Sequence, residues 1–361
     1  MAWGAALLVL EVGSRADALA LFADKTGAPR LACGGRIFDP VAGGEALGEF
    51  EDYGSEFLVV FTDTVTGAPR LACGSGEKVL VFNPVTGGDA LLELDIDSDV
   101  GALAVFKDPA TGAPRLACGS RDGKVRVFDA VSGGDALLIL DVGDYVVALT
   151  VFKDLATGAL RLACGSGDGK VRIFDPVAGG EALVVLAGHT NYVVALTAFR
   201  DPATGEQQLV SAANDIRVWN PEAGGAVVEA EPEGHSEDVK NLVTFVDPAT
   251  GALRVATGSD EKTIRVWDAE TGSALLVINV GSGVNALAFF VDPATGAPRL
   301  ACGGRDTKVC VFDPVVGGEA LVVIDVGESV YSLAVFADPA TGELRLVSGS
   351  DDKTVRVFGP V

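Results

Sequence analysis

GALAVFKDPATGAPRLACGSRDGKVRVFDAVSGGDALLIL, residues 101–140, holds four short apolar runs separated by turn signals. Gly101 to Phe106 reads as strand a, and the turn Asp108-Pro109-Ala110-Thr111-Gly112 follows it. Arg115 to Cys118 is strand b, a tight turn covers Gly119 to Gly123, and Lys124 to Asp129 is strand c. Ser132-Gly133-Gly134 then leads to strand d, Ala136 to Leu140. The runs are rich in Val, Ile, Leu and Phe, and several are apolar on both faces, as in a sheet sandwiched between neighbouring sheets.

The unit recurs. Aligning on Leu-Ala-Cys and its variants gives eight copies, ending at Cys33, Cys73, Cys118, Cys164, Ser211, Thr257, Cys302 and Ser348, spaced by 40 to 47 residues. Helical repeats of that length would lack Gly/Pro punctuation every ~8 to 12 residues, so the period predicts an all-β propeller. After the eighth strand c, Val355 to Phe358, no strand d follows, whereas Ala5 to Val12 precedes the first strand a (Ala16 to Phe22) with a strand d pattern. An N-terminal strand completing the last blade would close the ring and remove its open edges. The expectation is one propeller domain spanning 1–361 with eight blades; the alternative is seven blades with a degraded first repeat.

With 48% hydrophobic and 21% charged residues the composition is globular rather than disordered. The balance of 27 Lys and Arg against 50 Asp and Glu, net −23, repels phosphate backbones and anionic membranes. It attracts basic surfaces, and equally serves as a solubility device. The apolar stretch Ala5 to Leu10 lacks the basic start and the length of a signal peptide, and no run approaches the ~18 residues of a membrane span. The expected partner is therefore a protein or basic peptide, with no direct nucleic acid and no membrane, for a monomeric cytoplasmic or alternatively nuclear protein. Five of the six cysteines occupy equivalent slots too far apart to bridge; only Cys302 and Cys310 are close, on two strands of one hairpin. All six read as small buried hydrophobes in a reducing compartment.

Gly234-His235, then Val239 and Phe245, Ala256-Thr257-Gly258-Ser259 and Lys262-Thr263-Ile264-Arg265-Val266-Trp267-Asp268 resemble one full WD repeat. Gly188-His189 with Ile216-Arg217-Val218-Trp219-Asn220 resembles a second, and the other copies are similar in strands b and c. The resemblance to the WD-repeat propeller family covers essentially the whole chain. It implies a structural tetrad of His, Ser/Thr, Asp and Trp. By position His235, Thr257 and Trp267 match, with Glu261 in the Asp slot, and so do His189, Ser211 and Trp219, with Asp215 displaced by a shortened turn. Elsewhere the His is absent, Cys usually replaces Ser/Thr and Phe replaces Trp, leaving packing and backbone ladders to hold those blades.

In this topology the a–b and c–d turns share the bottom face and the d–a and b–c turns the top. The bottom is nearly uniform: Asp-Pro-Ala-Thr-Gly recurs from Asp108, Asp201, Asp247, Asp292 and Asp338, and an Arg opens strand b at Arg30, Arg70, Arg115, Arg161, Arg254, Arg299 and Arg345. These charges read as a pair closing each hairpin, or as a ring for an acidic ligand. The top turns vary, as one asymmetric partner would require and as unconstrained drift would also give. The candidate partner-binding residues there are Asp99, Arg121, Asp144, Tyr145, Asn191, Tyr192, Glu237, Asp238, Arg305 and Glu328, with Tyr145 and Tyr192 as aromatic anchors in adjacent blades. Glu56 belongs to the same set of turns. Shortened turns at Gly34-Gly35 and Ala213-Asn214-Asp215 in blades 1 and 5 predict a groove across the top.

Catalysis needs convergent ionisable groups, and both histidines, His189 and His235, fall in the tetrad slot. The sequence carries no metal-ligand, haem, phosphate-loop or nucleophile-elbow motif, so no catalytic residue, metal or cofactor is assigned. The expectation is a non-enzymatic scaffold for protein–protein interaction; the alternative is a propeller-fold enzyme or a metal- or cofactor-binding module.

Overall fold

Each repeat forms one antiparallel sheet with its strands in the order a-b-c-d, of which blade 5 shows a, b and c among the described residues. The computed structural model describes residues 5–50, 57–200, 204–222 and 234–359. Blade 3 comprises Val100–Lys107, Pro114–Ser120, Lys124–Asp129 and Leu138–Asp141, within a few residues of the expected limits. Blades 2, 4, 6 and 7 repeat this plan over 57–95, 146–187, 239–279 and 284–325. Blade 1 keeps the order with shorter strands, Ala20–Ala23, Pro29–Cys33, Arg36–Phe38 and Gly48–Glu49, so its strand a begins later than expected. Blade 5 shows Ala195–Arg200, Gln207–Ala212 and Ile216–Trp219; its expected fourth strand lies outside the described residues, as do Glu56 and Asp201.

The last sheet settles the count. Leu8–Glu11 pairs antiparallel with Thr354–Phe358, in the register Leu8↔Val357 to Glu11↔Thr354, and completes Val330–Ala337 and Leu344–Ser350 as an eighth blade. The ring therefore has eight blades, not seven.

The core lies between blades rather than inside one. Phe106, Val125 and Leu140 of blade 3 pack on Leu162, Cys164 and Phe174 of blade 4, and the same layer recurs around the ring. Leu10, Val347 and Val355 of blade 8 meet Leu31, Cys33 and Phe38 of blade 1, sealing the closure with side chains as well as backbone. Strand c supplies each layer with one aromatic: Phe38, Phe82, Phe128, Phe174, Trp219, Trp267, Phe312 and Phe358 are at most 3% exposed. Burying such a side chain contributes roughly 1.5–3 kcal/mol.

A knob and a hole set the fit. Strand a carries a bulge at its start in blades 3, 4, 6, 7 and 8, which turns a buried Val toward the preceding blade. Val146 of blade 4 lies over Gly119 of blade 3, where an added Cβ would come within 2.5 Å of its Cγ1; Val193 over Gly165 is the next such contact, at 2.8 Å. The Gly after the Leu-Ala-Cys slot is thus the socket for the next blade, a role not read from the sequence.

Candidate functional site

The bottom face is internally neutralised. Arg70 reaches Asp63 at 2.9 Å, Arg161 reaches Asp154 at 3.0 Å, and Arg115 bridges Asp108 at 3.2 Å and Asp129. Arg30, Arg254, Arg299 and Arg345 also each reach two carboxylates. The same aspartates cap their own turns, with Asp108 Oδ1 accepting the N–H groups of Ala110 at 2.9 Å and Thr111 at 3.2 Å. The Ala110 N–H first, with Thr111 and Arg115 behind it, holds the Asp108 carboxyl below its usual range although burial opposes this. Of the two sequence readings, the hairpin pair is the geometry present.

Polar networks hold the two histidine blades. His235 Nδ1 donates to Glu261 Oε1 at 2.6 Å, and its Nε2 accepts from Thr257 Oγ1 at 2.7 Å. Thr257 Oγ1 in turn accepts from Trp267 Nε1 at 2.8 Å. Glu261 thus fills the Asp slot. Its charge is opposed by burial but held by Thr263 and Ser236 donors, well below the ordinary range; burial, against the pull of Glu261, lowers the pKa of His235 and keeps the imidazole neutral. In blade 5, Ser211 Oγ sits 2.5 Å from His189 Nε2 and 2.6 Å from Trp219 Nε1, while Asp215 pairs with His189 and with Arg217. All these groups are engaged in holding strands together.

Blades 3, 4 and 8 use a second device that the sequence reading missed. Arg126 of strand c binds Asp122 of its b–c turn at 2.8 Å, and Ser120 Oγ donates to the same carboxylate at 2.6 Å. Arg172 with Asp168 and Arg356 with Asp352 repeat this at 2.7 and 2.6 Å. An acid four residues before a strand c Arg was the available signal. Packing and ladders are therefore supplemented by a turn latch. Blade 8 is a hybrid: Ser348 stands where most blades have Cys, but with Phe358 in the Trp slot of strand c its buried Oγ has no hydrogen-bond partner.

The structure places the ten candidate top residues in two groups. In blades 3 to 5, exposed Arg121 and Asp99 pair at 3.3 Å. Beside them Tyr145 and Tyr192 meet edge to face with ring centroids 5.2 Å apart. Tyr145 is half-buried and Tyr192 is 48% exposed. Gly167 makes the site possible, because a Cβ there would come within 2.6 Å of the Tyr145 ring. Burial, then the Tyr192 hydroxyl and Asp144, push the Tyr145 phenol up to about 12. Asp144 Oδ1 accepts the Tyr145 N–H at 2.7 Å, and Asn191 Oδ1 accepts the Tyr192 N–H at 2.8 Å while its amide reaches Asn214. These turns thus hold both rings at the rim.

In blades 6 to 8, Lys240 joins Asp238 and Asp260, both at 3.2 Å, and Arg305 reaches Asp260 at 3.1 Å. Glu237 and Glu328 are exposed on the same side and are not drawn into the tyrosine cluster. Lys240 and Asp260 were not among the candidates, nor was Tyr331, whose ring stacks under Arg15 at 4.8 Å.

The predicted groove is corrected. Blade 1 does make a two-residue hairpin, Cys33↔Arg36, but Val12 and Ser14 pack directly on Gly34. Gly234 and His235 close in the same way over Asn214 in blade 5. Blade 2 is also trimmed, with Ser75 opposite Lys78. A cavity of about 290 Å³ lies instead among the inner strands, lined by Leu58, Leu103, Leu287 and Leu333 with Asp17 and Asn241. Among the described residues no group of three or more His, Cys, Asp or Glu side chains could hold a metal ion, and no helix is long and apolar enough to cross a membrane.

The family model "WD domain, G-beta repeat" matches residues 228–268 and 323–359, the second of which runs from strand d of blade 7 to strand c of blade 8. The solved structure of the computationally designed Ika8 protein is similar to 88% of this chain and all of its own, at 23% identity and a TM-score of 0.55, and shares the fold. No curated protein matches the chain. Two repeats matched by the family model, and one sheet unit carried in register around eight blades, make the chain an eight-bladed β-propeller that contains WD repeats.

Proposed function

We propose that the protein is a non-enzymatic interaction scaffold, and that the top face of blades 3 to 5 binds a basic segment of a protein partner. WD-repeat propellers are typically protein-interaction scaffolds. The observation that carries the finer reading is the Tyr145–Tyr192 pair, half-buried and half-exposed beside Asp144 and Asp99. Aromatic faces attract Lys and Arg side chains, and neighbouring carboxylates take their charged ends. The net charge of −23 draws such a ligand in from a distance and disfavours nucleic acid and anionic membrane. The bottom face supports no rival site, since its Arg side chains already hold their own hairpins. A monomer in the cytoplasm or nucleus fits this role.

Fluorescence anisotropy with a panel of Lys/Arg-rich and Asp/Glu-rich peptides tests the reading. Binding confined to basic peptides, weakening as salt rises, is the expected result. Equal binding of both classes, or binding of none, contradicts it.

A further inference from the structure

Blade 7 departs from the other blades at one pair of positions. Across strands b and c the residue in the Leu-Ala-Cys slot faces an Arg in most blades, as in Cys118↔Arg126, Cys164↔Arg172 and Ser348↔Arg356, or a Leu in Cys73↔Leu80. In blade 7 it faces a second thiol: Cys302 and Cys310 are directly opposed. Both are buried and free, at 1% and 7% exposed. Directly opposed residues share a face, with Cα atoms about 4.5 or 5.5 Å apart. Either separation lies inside the ~4.4–6.8 Å that a disulfide spans, so the two thiols are within bridging range.

From this geometry we infer that Cys302 and Cys310 form a cross-strand dithiol site that hydroperoxides oxidise to a disulfide.

The surroundings divide the roles. The Cys302 S–H donates to Cys310, which lowers the Cys310 thiol and raises that of Cys302; burial and Asp306 oppose ionisation at Cys310, and Lys308 favours it. Cys310 is therefore the thiolate that meets the oxidant. Its sulfur attacks one peroxide oxygen, the O–O bond breaks, and the other oxygen leaves as water or alcohol after taking a proton. The Cys310 sulfenic acid is then attacked by the Cys302 sulfur, which loses its proton as the S–S bond forms and a water leaves. Two thiols give up two electrons and two protons to one hydroperoxide. Cys118 and Cys164 have no facing thiol, and burial pushes both thiols up above the ordinary range, so they stay reduced.

The test is peptide mapping of the full-length protein after brief hydrogen peroxide treatment, alkylation and non-reducing trypsin digestion. The expected result is loss of two hydrogen atoms from the intact mass and a linked pair of peptides, residues 300–305 and 309–345. Cys310→Leu copies the Cys73/Leu80 arrangement of blade 2 and abolishes the link. Cys302→Ala turns the product into oxygen addition at Cys310. A folded, peroxide-treated protein with six free thiols overturns the proposal, as does a link that persists in Cys310→Leu, or oxidation falling first on Cys118 or Cys164.

Discussion

The two faces of the ring carry similar kinds of charge and use them differently. On the bottom, each Arg at the start of strand b folds back onto the Asp of its own hairpin, as Arg115 does to Asp108 and Asp129 with both partners largely buried. On the top of blades 3 to 5, Arg121 and Asp99 are 71% and 53% exposed, and Tyr192 is half in solvent. A repeated, shielded ion pair serves the fold, whereas an exposed, blade-specific one beside an aromatic pair is available to a partner. Charges on one face should therefore govern stability and on the other binding.

The largest effect expected on stability is acid loss. Asp63, Asp108, Asp154, Asp247 and Asp338 all have carboxyls lowered in the folded protein. Each contributes stability that is complete above the unfolded value of about 3.9 and is lost as the pH falls through the folded value. His235 adds an earlier step of the same sign: its pKa is lowered by burial, so its contribution is complete above about 6.5 and declines as the pH falls below that. Urea unfolding between pH 8 and 3 should show a falling midpoint, with the first decline removed by His235→Gln; a midpoint independent of pH would break the comparison.

Next in size is Arg115→Ala. It strips a donor from two carboxylates and should cost roughly 1–2 kcal/mol by urea unfolding, a figure reduced by solvent at the rim. Peptide binding should be unaffected. Arg121→Ala is the mirror case. The pair it breaks is exposed, so stability should move by less than about 0.5 kcal/mol, while affinity for a basic peptide changes through the freed Asp99. Equal stability costs for the two substitutions would erase the distinction between the faces.

Much of this was legible in residue spacing. The period of 40 to 47, the turn residues and the stray aliphatic strand at Ala5 to Val12 led to eight blades closed by the N-terminal strand. The bottom hairpin pair was readable because Asp and Arg recur at fixed offsets within one hairpin. Other features depend on contacts between distant parts of the chain. The Gly119 socket is meaningful only once Val146 of the next blade lies in it. The filling of the trimmed turns could not be read either, because Val12 and Ser14 reach Gly34 from the strand that closes blade 8. Tyr145 and Tyr192 were visible as aromatics in equivalent turns, but their contact rests on a missing Cβ at Gly167. The Asp122/Arg126 latch is local, an acid four residues before a strand c Arg, so its signal lies within the sequence itself.

The most direct test of the division between faces is one titration series: a basic peptide against the intact protein, Tyr145→Ala/Tyr192→Ala and Arg115→Ala, each with its unfolding midpoint measured alongside. The account predicts that the tyrosine variant loses about 30-fold or more in affinity, as removal of a buried aromatic anchor does, while Arg115→Ala binds as the intact protein does despite its lower midpoint. Unchanged affinity in a folded tyrosine variant, or loss of affinity tracking the bottom-face substitution, would contradict it.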